Sequence, residues 1–330
     1  MEHLIECKDI VKTYRGRGIG GAKRGFRAVD GISLQIDRNE SYGLVGESGC
    51  GKTTFARALL YLDPPTSGSI SFDGVRLETL GRREFRKFRK RIQIVFQDPN
   101  SALNPKMSIH ASLSEGLINR GIGETERVKR IKDLLDLVGI SYAYRNRYPH
   151  EFSGGQKQRI VIARALSMEP DFLVLDEPVS NLDVSIQAQI INLLSDLKKE
   201  FSLTYLFISH DLNLVSYMCD TIGVMFKGKI VEQAASETLV SSPSHPYTRR
   251  LLSSIPGGAQ RTGSLGFEQE EETAEALEIR ARSRQAATGC PYYPLCPLGD
   301  GECTSLAPSL RDIAEGHVVS CHKVGPAKGR

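Results

Sequence analysis

Residues Gly46–Thr53 read GESGCGKT and fit the pattern G-x-x-x-x-G-K-[ST]. A loop of this kind holds phosphate. Its glycines let the backbone curl so that successive N–H groups point inward at phosphate oxygens. Lys52 is placed to reach the β- and γ-phosphates, and the Thr53 hydroxyl to ligate Mg²⁺. A pair of carboxylates, Asp176 and Glu177, ends the apolar run Phe172–Leu175. Beside a phosphate loop, Asp176 would hold Mg²⁺ through water, and Glu177, one residue on, would polarise the attacking water. A second anion cradle reads SGGQ at Ser153–Gln156. Ser153 stands where a helix N-cap belongs, and Gly154 and Gly155 free N–H groups at the helix start. Two phosphate cradles in one chain make sense if the second closes over a γ-phosphate held by another molecule.

These residues need particular elements to position them. Tyr42–Val45 reads as a buried strand feeding the loop, and Thr53–Tyr61 as the helix leaving it, which is the context the motif requires. Strands are also expected at Phe172–Leu175, Tyr205–Ile208 and Ile222–Phe226, with helices at Val184–Lys199 and Leu212–Met218 between them. The alternation predicts a mostly parallel sheet with helices on both faces. Ahead of the loop, Leu4–Ile10 reads as an edge strand and Ile32–Ile36 as a half-buried one. Helical periodicity over Ile109–Asn119 and Thr125–Val138, joined at Gly121–Gly123, marks a helical insert spanning about residues 98–168. The basic stretch Arg15–Arg27 reads as a solvated surface loop. Beyond Val240 the pattern changes. A Pro/Ser break is followed by a linker, acidic over Glu268–Glu278, covering 241–289.

The chain has 330 residues, of which 40% are hydrophobic and 25% charged, with a net charge of +4. This is an ordinary globular balance, and the charge is too small to argue for nucleic acid. No apolar run approaches the ~20 residues a membrane helix requires, and no signal peptide is visible, so a cytosolic location is expected. In that compartment the seven cysteines suggest metal or chance rather than disulfides. Cys7, Cys50 and Cys219 read as isolated small residues.

The ordered set Gly46–Thr53, Ser153–Gln156, Asp176 with Glu177, and Ser209–Asp211 resembles the ATP-binding cassette (ABC) ATPases over roughly residues 4–255. The resemblance implies an α/β fold, a P-loop NTPase with an inserted helical subdomain, occupying 1–240. It implies a head-to-tail dimer with two ATP molecules, each between the phosphate loop of one subunit and the signature of the other. The nucleotide-binding set would be Tyr14, stacking on adenine, with Gly46, Glu47, Ser48, Gly49, Cys50, Gly51, Lys52, Thr53 and Thr54. Ser153, Gly154, Gly155, Gln156 and Asp183 would act across the dimer interface. Gln97 would sense Mg²⁺ and the membrane subunit, and His210 would contact the γ-phosphate. Asn181 stands where alanine is more usual in the family, and Phe152 where leucine is.

A narrower resemblance, to the oligopeptide/dipeptide importers and nearest their second ATPase subunit, rests on four stretches. These are QDPNSALNP at 97–105, YPHEFSGG at 148–155, DVSIQ at 183–187 and HPYT at 245–248. It implies a heterodimer with a second ATPase, two membrane permeases and an external solute-binding protein, at the cytoplasmic membrane face. Nickel and glutathione importers share the motifs. A soluble ABC ATPase acting on ribosomes or nucleic acid is the rival, but no second cassette and no heptad insert is visible between Thr53 and Ser153.

Cys290, Cys296, Cys303 and Cys321, spaced by five, six and seventeen residues, form a small C-terminal extension over 290–330. Four thiols can close one metal site. The resemblance implies a [4Fe–4S] cluster there, with zinc as the alternative and His317 and His322 as substitute ligands. The extension is not expected to reach ATP.

Overall fold

The computed structural model describes residues 3–15, 25–253 and 289–325. The stretch 16–24 and most of the linker, with its acidic run, lie outside the described residues. Two sheets organise the chain. The smaller is antiparallel and holds β1 (His3–Arg15), β2 (Gly25–Asp37), β4 (Ser67–Phe72) and β5 (Val75–Arg76), in the order β2-β1-β4-β5. Leu4–Ile10 is therefore not an edge strand. β1 pairs with β2 on one side and with β4 on the other. Its alternation is weak because Asp9 adopts a left-handed φ of 49° and shifts the register.

The larger sheet contains β3 (Ser41–Val45), β6 (Ile92–Val95), β7 (Phe172–Asp176), β8 (Thr204–Ser209) and β9 (Thr221–Phe226), all parallel. β10 (Lys229–Ala235), β11 (Arg311–Ala314) and β12 (His317–Val319) continue it antiparallel beyond β9. The C-terminal extension thus adds strands to the main sheet, with Glu232 of β10 opposite Val319 of β12.

Each parallel strand is buried on both faces, as expected of a sheet covered by helices. Leu173, Leu175, Tyr205 and Phe207 face a core shared with α6 (Gly154–Leu166), α7 (Val184–Phe201) and α8 (Leu212–Met218). Their neighbours Phe172, Val174, Leu206 and Ile208 face a second core. That core is shared with α1 (Lys52–Leu59), α2 (Arg82–Arg91) and the antiparallel sheet.

Between β6 and β7 the chain forms four helices: α3 (Pro99–Ala102), α4 (Ile109–Arg120), α5 (Glu124–Leu137) and α6. Ile109, Leu113 and Leu117 of α4 recur every fourth residue and are fully buried against Ile131 and Leu135 of α5. Ser108 caps α4 by accepting the Ala111 N–H at 3.2 Å, and Gly121 ends it with φ 84°. Two short helices, α9 (Ser236–Ser241) and α10 (Pro246–Ser253), follow β10, and α11 (Gly301–Ser305) lies in the extension.

Candidate active site

The loop expected from the sequence is the turn between β3 and α1. Gly51, at φ 112°, caps α1, and a side chain there would strike the Ala28 carbonyl at 2.1 Å. Gly46 is equally confined, with the Met225 carbonyl 2.2 Å from where a Cβ would sit. The Lys52 ammonium is buried and donates to the carbonyls of Gly46 at 2.6 Å and Glu47 at 3.1 Å, holding the loop curled. Glu47, Ser48 and Gly49 form its exposed rim, while Cys50 is buried and its thiol is pushed up by burial.

Parallel register brings the other groups to the same end of the sheet. Val45, Ser209 and Val224 stand side by side on β3, β8 and β9, and Asp176 of β7 lies opposite Ile208 of β8. The Thr53 hydroxyl donates to Asp176 Oδ1 at 3.2 Å. Asp176 is 4% exposed, and burial raises its pKa, with nearby Glu177 adding in the same direction. A hydroxyl and an under-compensated carboxylate form the hard oxygen pair that Mg²⁺ takes, alongside water and phosphate oxygens. These residues fit the ion.

Glu177 turns out of the strand with φ 49°. A non-glycine residue in that region is uncommon and is held there by its surroundings. Its N–H donates to the Ile208 carbonyl at 2.9 Å, and Oε2 accepts from Gln97 Nε2 at 3.1 Å and lies 3.4 Å from His210 Nδ1. Gln97 also donates to the Ser180 hydroxyl at 3.2 Å. Lys52, Thr53, Gln97, Asp176, Glu177 and His210, from four separate stretches, thus meet at one end of the sheet.

The remaining expected residues lie elsewhere. Tyr14, at the end of β1, is 40% exposed and donates its hydroxyl to Asp63 at 2.7 Å. That bond raises its pKa, and Thr54 lies close enough to pull it the other way. Ser153 caps α6 in a reciprocal box: its hydroxyl accepts the Gln156 N–H at 3.3 Å, and the Gln156 side chain accepts the Ser153 N–H at 3.0 Å. Ser153 and Gly154 are exposed, as is Asp183 at the start of α7, next to Val184 at 81% exposure. Among the described residues, no hydrogen bond joins Ser153–Gln156 to the chain's own phosphate loop.

The sequence matches the ABC transporter family over residues 29–180 and the oligopeptide/dipeptide transporter C-terminal region over residues 231–303. It is 42% identical to the oligopeptide transport ATP-binding protein AppF of Bacillus subtilis, across 97% of each chain. The chain belongs to the ATP-binding subunits of the oligopeptide/dipeptide ABC transporters. This ABC subunit is also 49% identical to the oligopeptide transport ATP-binding protein OppF of the same organism, over 77% of this chain and 83% of that one. Its fold resembles the ATP-binding cassette MJ0796, whose dimer was solved bound to ADP and phosphate after hydrolysis. There the identity is 28% and the TM-score 0.61, over 70% of this chain and 98% of that one. ATPase activity follows for the ABC subunit from this family and site.

The metal centre expected in the extension is not assembled among the described residues. All four of its cysteines are free thiols, and among the described residues no group of three or more Cys, His, Asp or Glu is arranged to hold a metal. His317 and His322 are engaged elsewhere, with Glu232 at 2.8 Å and the Leu306 carbonyl at 2.9 Å.

The extension comes near the ATP loop through one intervening side chain. The Tyr247 hydroxyl accepts the Glu47 N–H at 3.0 Å, and Tyr292 of the extension packs on the Tyr247 ring at 5.4 Å. Sequence reasoning missed Tyr247 and also Gly228, whose N–H donates to the Cys50 carbonyl at 2.8 Å. The HPYT stretch flagged Tyr247 as part of a motif, but nothing local ties it to a loop 200 residues away.

Proposed function

We propose that this ABC subunit is the ATP-hydrolysing motor of a peptide importer, working as one half of an ATPase dimer beneath two permeases. The observation that carries the reading is the meeting of Lys52, Thr53, Gln97, Asp176, Glu177 and His210 at one sheet end, in a chain whose C-terminal part matches the oligopeptide/dipeptide transporters.

The chemistry follows from positions. Loop N–H groups and the Lys52 ammonium would hold the β- and γ-phosphates, with Thr53 and Gln97 as ligands of Mg²⁺ and Asp176 holding it through water. When bound, Mg²⁺ neutralises charge on the phosphate oxygens. Glu177 takes a proton from the attacking water. Gln97 and His210, both directed at Glu177 Oε2, fix that carboxylate and bring His210 towards the γ-phosphate. Tyr14 stacks on adenine. The exposed Ser153 and Gly154 and the half-buried Gly155 and Gln156, with Asp183, serve the nucleotide of a second ATPase subunit. The heterodimeric form, the solute-binding protein and the cytoplasmic membrane face belong to the same reading. It is supported by names such as that of OppF and by the finding that no helix among the described residues is long and apolar enough to cross a membrane. A groove of ≈ 590 Å³ lined by Ile94, Phe96, Ile118 and Val161 opens beside Gln97 and is assigned to a permease helix.

The test is Glu177→Gln in the assembled transporter. ATP binding is expected to persist while turnover and peptide uptake fall by about 10²–10⁴-fold, the usual worth of a general base. Near-normal turnover in that variant would remove Glu177 from the role. A [4Fe–4S] cluster in the extension is the finer reading, ahead of zinc. It is supported by the spacing of the four cysteines. Iron analysis of anaerobically purified protein decides it: about four irons support the cluster, one zinc reassigns the site, and neither removes it.

A further inference from the structure

We propose that Tyr247 is a positioning residue for ATP binding, a clamp on the outer side of the phosphate loop that is held in place by the C-terminal extension. Among the described residues, Tyr247 is the one side chain from outside the loop and α1 that hydrogen-bonds to the backbone of residues 46–51. The bond occupies the N–H of Glu47, whose own carbonyl accepts from Lys52. It therefore fixes the Gly46–Glu47 peptide, whose carbonyl, that of Gly46, also accepts from the phosphate-binding ammonium, at 2.6 Å. With Glu47 N–H tied outward, the N–H groups further along the loop are the ones left facing the nucleotide. The Gly228 N–H anchors the Cys50 carbonyl from the same side.

Tyr247 is itself held at both ends. Its ring is fully buried between Phe226, at 4.7 Å, and Tyr292, at 5.4 Å, and Tyr292 also meets Phe226 edge-on at 5.2 Å. Its backbone N–H donates to His245 Nδ1 at 3.0 Å. The His245 and Ser244 N–H groups in turn donate to the buried Glu232 carboxylate at 2.9 and 2.7 Å. Glu232 pairs with His317 of β12 at 2.8 Å. The extension thus touches the clamp twice, through Tyr292 against the ring and through His317 at the base of the turn. A side chain that only filled the core would need neither the hydroxyl nor a bond to the loop.

The proposal rests on ATP binding at Gly46–Thr53, and Lys52→Ala is the control for that. The experiment titrates Mg-ATP onto the full chain and measures KM and kcat in the assembled transporter. Tyr247→Phe deletes one neutral hydrogen bond and keeps the ring. Such a bond corresponds to about five-fold in an equilibrium. The ATP KM and dissociation constant are expected to rise by about that factor, with a smaller change in kcat and a melting temperature without nucleotide that falls by no more than a few degrees. Tyr292→Ala, which does not contact the loop, is expected to shift the ATP KM in the same direction, and Tyr292→Phe to restore it. Wild-type ATP affinity in Tyr247→Phe overturns the clamp, as does a loss confined to kcat. Wild-type affinity in a folded Tyr292→Ala chain overturns the part played by the extension. If Lys52→Ala binds ATP normally, the fault lies with the ATP reading itself.

Discussion

Gly155 has no room for a side chain, because a Cβ there would lie 2.5 Å from Ile186 Cγ2 at the start of α7. The second glycine of the signature is thus also a packing contact between α6 and α7. Gly155→Ala is expected to destabilise the chain by about 1–3 kcal/mol, the usual cost of overpacking. Combining it with Ile186→Ala should recover at least about 1 kcal/mol relative to the sum of the single changes, as for residues in contact. Chemical denaturation of the four chains measures this, and simple additivity would show that the helices part without strain. At this scale the sequence was informative where the chemistry is local. Lys52 and Thr53 sit within one eight-residue pattern, and Asp176 and Glu177 are neighbours. The left-handed backbone of Glu177 was not legible, since it comes from the N–H bond to Ile208 on the next strand.

The stretch from β10 to α10 is built around a buried carboxylate and a buried imidazole. Burial holds His245 down at about 4, against the opposing pull of Glu232 and of the Ser320 backbone. The folded chain therefore keeps His245 neutral while an unfolded chain protonates it below about pH 6.5. A depressed histidine gives stability that is full above the unfolded pKa and is lost as pH falls towards the folded one. His245 is thus expected to remove up to about 3 kcal/mol between pH 6.5 and 4 and nothing above that window. His245→Asn keeps an acceptor for the Tyr247 N–H but does not titrate. Melting curves at pH 7 and 4.5 should show a larger fall for the wild type than for this variant, and equal falls would clear His245. Periodicity located the parallel strands and the helices of the insert, because period-2 and 3.6-residue burial are local properties. It did not place β1 inside its sheet or β12 beside β10. Those pairings depend on partners more than 50 residues away.

For the whole molecule, the proposed reading gives the two phosphate cradles to different nucleotides. Ser153→Arg is expected to leave ATP binding at Lys52 unchanged in the isolated chain. It should strongly reduce turnover at the site built on the partner subunit's phosphate loop in the assembled ATPase. Photolabelling of each subunit with an ATP analogue, alongside turnover, distinguishes the two, and lost labelling at Lys52 would contradict the shared arrangement. The order of the motifs made the ABC family legible, whereas the joining of the extension to the sheet behind the nucleotide loop was hidden in the register of β9, β10 and β12. That joining also sets an order of manufacture. The bond from Glu47 to Tyr247 closes a loop of 200 residues, and contacts of such long range form late. On the ribosome, a nascent chain lacks the Tyr247 brace on its phosphate loop until residue 247 has emerged, and the backing ring until residue 292. On the clamp proposal, the last increment of ATP affinity is thereby postponed until late in synthesis.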